Sequence, residues 1–129
     1  MHNYIRGLES EDVSVRNDTA IKIIDGNHGE LVPKLLGRIN DPKTKGANGT
    51  LVYALGHFDC SEYFTDLVRF AVTLGYDAHF GAMCILGEQK FWINEEDIKQ
   101  IKDLFDSLDD AALKEYHKEA IRIISESFL

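Results

Sequence analysis

A shift of 31 positions lays Ala47 on Ala78, Leu51 on Ala82 and Leu55 on Leu86, and superposes Ala54-Leu55-Gly56 on Ile85-Leu86-Gly87. Upstream, Leu35-Leu36 falls over Leu67-Val68 at nearly the same offset. Apolar residues three and four apart recur throughout and strict alternation does not persist, so the repeated unit is helical. A period near 30 residues with two helices per unit describes a stacked solenoid, because each pair carries an apolar face that it buries only against a neighbour. The expected fold is therefore all-α, a right-handed stack of about four antiparallel helix pairs forming one domain over residues 1–129.

The breaks between helices fall at Gly26-Asn27-His28-Gly29, Asn40-Asp41-Pro42, Gly56 with Asp59-Cys60-Ser61, Gly75, and Gly87 through Asn94, all residues that stop or cap helices. The first pair is expected as a short helix near residues 2–8 and a second, capped by Ser10, with Val13, Val15, Ala20, Ile23 and Ile24 inward. In the second pair, Leu31, Leu35, Leu36 and Ile39 precede Ala47, Leu51, Ala54 and Leu55, and Pro33 is tolerated in a first turn. The third runs from Phe64, Leu67, Val68, Ala71 and Val72 to Ala78, Ala82, Ile85 and Leu86. The fourth begins at Asn94, with Ile98, Ile101, Leu104, Phe105 and Leu108, and a last helix follows from Asp109 with Ala112, Leu113, Tyr116, Ala120, Ile121 and Ile124.

Charge bounds the function. Acidic residues number 22 against 14 basic, a net charge of -8, so the summed field repels nucleic acid and anionic membranes and favours a basic protein partner. Residues 65–129 hold 13 acidic and 7 basic side chains, or -6, against 9 and 7, or -2, in residues 1–64. The N-terminal MHNYIRGLES shows no basic start followed by an apolar run, and no apolar stretch approaches the length of a spanning helix. With only Cys60 and Cys84, both beside apolar residues, buried free thiols and a cytoplasmic location are expected rather than a disulfide framework.

The segment Asp12-Val13-Ser14-Val15-Arg16, followed by Thr19-Ala20 and Ile23-Ile24, resembles the Asp, Val-Arg, Ala and Leu pattern of HEAT repeats, in the short bacterial form of phycobilin-lyase-like repeats. Asp41-Pro42 and Ala54-Leu55-Gly56 add a second partial match, and the resemblance spans residues 8–88. No Val-Arg pair follows Asp41 or Asp77, where Thr44-Lys45 and Ala78-His79 stand, and the last unit fits as a capping element. The resemblance implies a protein-binding scaffold. Some members of the family hold a di-iron site on His-Glu dipeptides, which this chain lacks.

Chemistry-bearing patterns are sparse. His2, His28, His57, His79 and His117 lie one per segment, without the close spacing of a zinc site. His57 near Cys60 and His79 near Cys84 are sequence neighbours only, and a catalytic pair needs mutual aim and an orienting third group. Gly46-Ala47-Asn48-Gly49 has no lysine in the phosphate-binding position and no preceding strand, so its glycines are expected to let helices approach closely. No metal, cofactor or catalytic residue is assigned, and the chain is read as a non-enzyme.

The remaining candidates concern binding. In a stack of this kind the second helices line the inner curve, which places Asp18, Lys22, Asp25, Tyr53, His57 and Glu88 on one surface. Trp92 either anchors a partner or plugs the end of the core. Glu95, Glu96 and Asp97 either cap a helix and solubilise it or steer a basic partner. A small acidic helical protein without a catalytic set is similar to bacterial immunity proteins that occlude a cognate basic toxin, a nuclease for instance. That is the expected function; a HEAT-type scaffold or adaptor in a larger assembly is the alternative, and a small lyase-like enzyme subunit a third reading.

Overall fold

The computed structural model describes residues 2–129, apart from the side chain of His2, the one candidate histidine that lies outside the described atoms. Within them are eight α-helices and no strand: α1 (His2–Glu9), α2 (Val13–Asp25), α3 (Val32–Ile39), α4 (Gly49–Leu55), α5 (Phe64–Thr73), α6 (Tyr76–Glu88), α7 (Glu95–Ser107) and α8 (Glu115–Phe128). Short 3-10 turns precede α3 at Gly29–Leu31, follow it at Pro42–Thr44, and precede α8 at Asp110–Ala112.

The helices pack α1 on α2, α3 on α4 and α5 on α6, and across these pairs α2 touches α4 and α4 touches α6. The fourth unit differs from the expected pair. Both of its helices pack on α5, and α8 also touches α6, more than they pack on each other. Phe64 shows why: at the start of α5 it is fully buried, with Phe91 at 5.5 Å on one side and Phe128 of α8 at 4.9 Å on the other. A single large aromatic thus recruits the end of the chain, and burying such a side chain contributes roughly 1.5–3 kcal/mol.

Local signals set most boundaries. Asn27 turns the chain out of α2 with a left-handed φ of 54°, which asparagine tolerates better than most residues. Pro33 sits in the first turn of α3, and Asn94 and Asp97 close a reciprocal capping box on α7. Three expectations are corrected. Asp12, not Ser10, caps α2, its carboxylate accepting from Ser14 N–H at 2.9 Å, while Ser10 Oγ accepts from Asp12 N–H. Arg16, Thr19, Ala20 and Ile23 face inward, and Val13 and Val15, expected inward, lie 41% and 43% exposed in the first turn. Ala47 lies ahead of α4 and not within it. Asp109 caps a 3-10 turn by accepting from Ala111 N–H, so the last helix starts at Glu115 and Ala112 remains exposed.

Arginine side chains tie successive units together. Arg16 is buried because its guanidinium donates to the carbonyl oxygens of Ser10, Glu11 and Ala47. Arg38 of α3 reaches back to Leu8 O and Ser10 O, and Arg69 of α5 reaches Asn40 Oδ1 at the end of α3. Gln89 closes the next junction, accepting from Cys60 N–H and donating to Phe58 O. The bonds to Leu8 O and Ser10 O finish the end of α1, whose last carbonyls have no partner within the helix.

Candidate functional site

Three glycines bring α4 and α6 together. A β-carbon on Gly49 meets Asp77 Cβ at 2.7 Å, one on Gly81 meets Val52 at 3.1 Å, and one on Gly56 meets Ile85 at 3.2 Å. The close approach stands Tyr53 of α4 beside Phe80 of α6, with Tyr76 one turn before Phe80. These three rings are 56%, 56% and 57% exposed, whereas Leu51, Val52, Leu55, Ala82 and Ile85 on the opposite faces are buried. Tyr76 stacks on Phe80 at 6.2 Å and meets Tyr116 of α8 edge-on at 5.2 Å. Tyr53 meets His57 edge-on at 4.8 Å.

Two clefts adjoin across the Tyr53–Phe80–Gly81 saddle. The first, about 450 Å³, is lined by Asn17 of α2, Thr50, Tyr53, Tyr76, Asp77 and Phe80 among others. The second, about 350 Å³, is lined by Tyr53, His57, Phe80, Cys84, Ile85 and Glu88. Each holds one carboxylate, Asp77 or Glu88, and neither is lined by lysine or arginine. Each cleft is therefore aromatic and carries an anionic side chain.

The buried polar groups nearby serve the fold. His79 Nδ1–H donates to Ala71 O at 2.7 Å, and His117 Nε2–H donates to Leu74 O at 2.5 Å while its Nδ1 accepts from Lys114 N–H. Both imidazoles thus finish the C-terminal end of α5. Cys60 donates its thiol proton to Leu55 O at 3.2 Å, and burial, with the Asp59 charge beside it, pushes that thiol up to about 11. A protonated, hydrogen-bonded thiol is a poor nucleophile. Both cysteines are free, and among the described residues no group of three or more His, Cys, Asp or Glu is placed to hold a metal ion. None of these residues' helices is long and apolar enough to cross a membrane.

The candidates read from the sequence scatter over this frame. Tyr53, His57 and Glu88 come together in the second cleft. Asp18 and Lys22 pair with each other at 3.1 Å on the exposed side of α2, a surface ion pair worth about 0–1 kcal/mol, and Asp25 is exposed at the end of the same helix. Trp92 is 77% exposed and does not plug the core; its neighbour Phe91 does so against Phe64. Glu95 and Glu96 are exposed, and Asp97 spends both carboxylate oxygens within the fold, on Thr65 Oγ1–H and on Asn94 N–H. Tyr76, Asp77, Phe80 and Cys84 were not among the expected site residues. Their signal is angular: Phe80 stands two residues, about 200°, round the helix from buried Ala78. An apolar residue so far off the inward stripe faces solvent.

Comparison of the chain with models of protein families, with curated proteins and with solved structures finds no match in any of the three.

Proposed function

We propose that this chain is a protein-binding module whose binding face is the aromatic ridge of Tyr53, Tyr76 and Phe80. The carrying observation is that three large rings, each more than half exposed, line one cleft between two neighbouring helices. Contiguous exposed aromatic surface flanked by polar groups is characteristic of interfaces, where tyrosine is a frequent hot spot. The two flanking carboxylates and the net charge of -8 favour a basic partner.

In architecture, the reading is a right-handed HEAT-like stack of antiparallel pairs, capped by α7 and α8. The contacts of α2 with α4 and of α4 with α6, together with the backward reach of Arg38 and Arg69 at a spacing of 31 residues, support it. In function, the reading is an inhibitor of the immunity kind, which neutralises a basic toxin domain by covering its active site. Acidic side chains stand in for the phosphates such a toxin binds, and the aromatic ridge anchors the contact. The scaffold or adaptor reading uses the same face and differs in affinity and in the number of partners.

Affinity isolation from the native host, identification of the bound protein and reconstitution of the pair from purified components test this. The inhibitor reading expects a one-to-one complex with a basic protein that is toxic alone, whose association slows as salt is raised. Several weakly held partners select the scaffold. An acidic partner, or association indifferent to salt, removes the electrostatic part of the reading.

A further inference from the structure

Asp77 and Glu88 lie eleven residues apart on α6, on either side of Phe80. Eleven residues make three turns, which returns a helix to the same face within about 20° and separates the two positions by about 16 Å along the axis. Phe80 and Cys84, three and seven residues beyond Asp77, complete one stripe, and both line the second cleft. Read along α6, the solvent face is carboxylate, aromatic ring, thiol, carboxylate. Neither cleft is lined by a cationic side chain that answers its carboxylate.

Building on the protein-binding reading above, we infer that this face takes an amphipathic helix of the partner laid along α6, with arginines at positions i and i+11 and apolar side chains at i+4 and i+7. The match is one of periodicity. A second helix carries i, i+4, i+7 and i+11 on one face and repeats the same 16 Å, roughly, between its cations. A strand covers that span in about five residues, an odd number, so its two cations point to opposite sides. One guanidinium enters the first cleft, where it meets Asp77 and the faces of Tyr53 and Tyr76; the planar cation both stacks on rings and pairs with a carboxylate. The other pairs with Glu88 beside His57. The apolar residues between them cover Phe80 and the Gly81 saddle.

The probe is a fluorescently labelled 17-residue peptide on an alanine and glutamine host, with arginine at positions 3 and 14 and leucine at 7 and 10. Its comparison moves the second arginine to position 12, which turns it to the opposite side of the helix. Anisotropy titrations of the intact chain are expected to give one-to-one binding of the first peptide, about tenfold tighter than the second. Asp77→Asn and Glu88→Gln each weaken it about fivefold while the thermal melting of the protein is unchanged. Equal binding of the two peptides, indifference to both substitutions, or no saturable binding of either overturns the inference. The broader reading fails separately: a natural partner that needs Tyr53 and Phe80 but ignores Asp77→Asn and Glu88→Gln leaves the binding face standing without the helical ligand.

Discussion

Arg38 Nε donates to the carbonyl oxygen of Leu8 at 2.7 Å, so the last turn of α1 is completed by a side chain from α3. The same guanidinium holds Asp41 through its second nitrogen, and Arg69 repeats the gesture 31 positions later, pairing with Asp66 and donating to Asn40. Successive helices are therefore hydrogen-bonded to one another as well as packed. Arg38→Ala leaves Leu8 O and Asp41 Oδ2 without a donor in a part-buried junction, and is expected to cost about 2–4 kcal/mol in urea unfolding. Arg38→Lys recovers less than half of that, because one ammonium does not span both acceptors as a planar fork does. Full recovery by lysine would show that charge alone matters there.

Gly49 is the tightest point between α4 and α6. A methyl group there meets Asp77 Cβ, which is rooted to the backbone and does not swing aside. Gly49→Ala is expected to destabilise the chain by about 1–3 kcal/mol, although alanine is the better helix former. It also pries the first cleft open. A Gly37→Ala control, with nothing within 4 Å of the added group, is expected to leave stability unchanged or slightly raised.

Phe91 and Trp92 are adjacent and opposite in role. Phe91→Ala removes the ring packed on Phe64 and is expected to cost about 2–4 kcal/mol. Trp92→Ala is expected to stay within about 0.5 kcal/mol, since its ring is mostly in water. The tryptophan emission should be that of a solvated indole and shift little on unfolding. A blue-shifted emission in the native state would contradict this placement.

The two thiols should separate in labelling. Cys84, half-buried in the second cleft, is expected to react with an alkylating reagent at pH 8 in the folded chain, and Cys60 only on unfolding. Burial keeps the Cys60 proton on to about 11, above the ordinary thiol value. Its contribution to stability is thus fully present below the unfolded value and is lost as pH rises toward about 11. The stability gap between wild type and Cys60→Ala is expected to narrow through that alkaline window. A gap constant with pH would mean the folded thiol titrates normally.

Helices were legible in the sequence where both of their faces were distinct. The stripes of α3 and α5 are strongly one-sided, and their inward residues lie where spacing puts them. In α2 the inward face includes Arg16 and Thr19, whose polarity argues for an outward place although their spacing matches Ala20 and Ile23; the carbonyls they meet explain their burial. In α6 the difficulty was reversed. Phe80 was given no role in advance, although it stands about 200° round the helix from buried Ala78 and so faces solvent. Tyr53, His57 and Glu88, which line one cleft, were singled out because polar or amphipathic residues off an apolar stripe are conspicuous. The packing of α7 and α8 on α5 was unreadable, since Phe64, which meets Phe91 just ahead of α7 and Phe128 of α8, lies some thirty positions upstream of α7.

The most direct test of the binding face is a calorimetric titration of the reconstituted natural partner into wild-type protein and into a Tyr53→Ala, Phe80→Ala double variant. Both rings are exposed, so the variant should melt within a few degrees of wild type. The account predicts a one-to-one isotherm for wild type and a loss of about a hundredfold or more in the variant. Equal affinity of the two proteins, with both folded, would place the partner elsewhere on the molecule and contradict it.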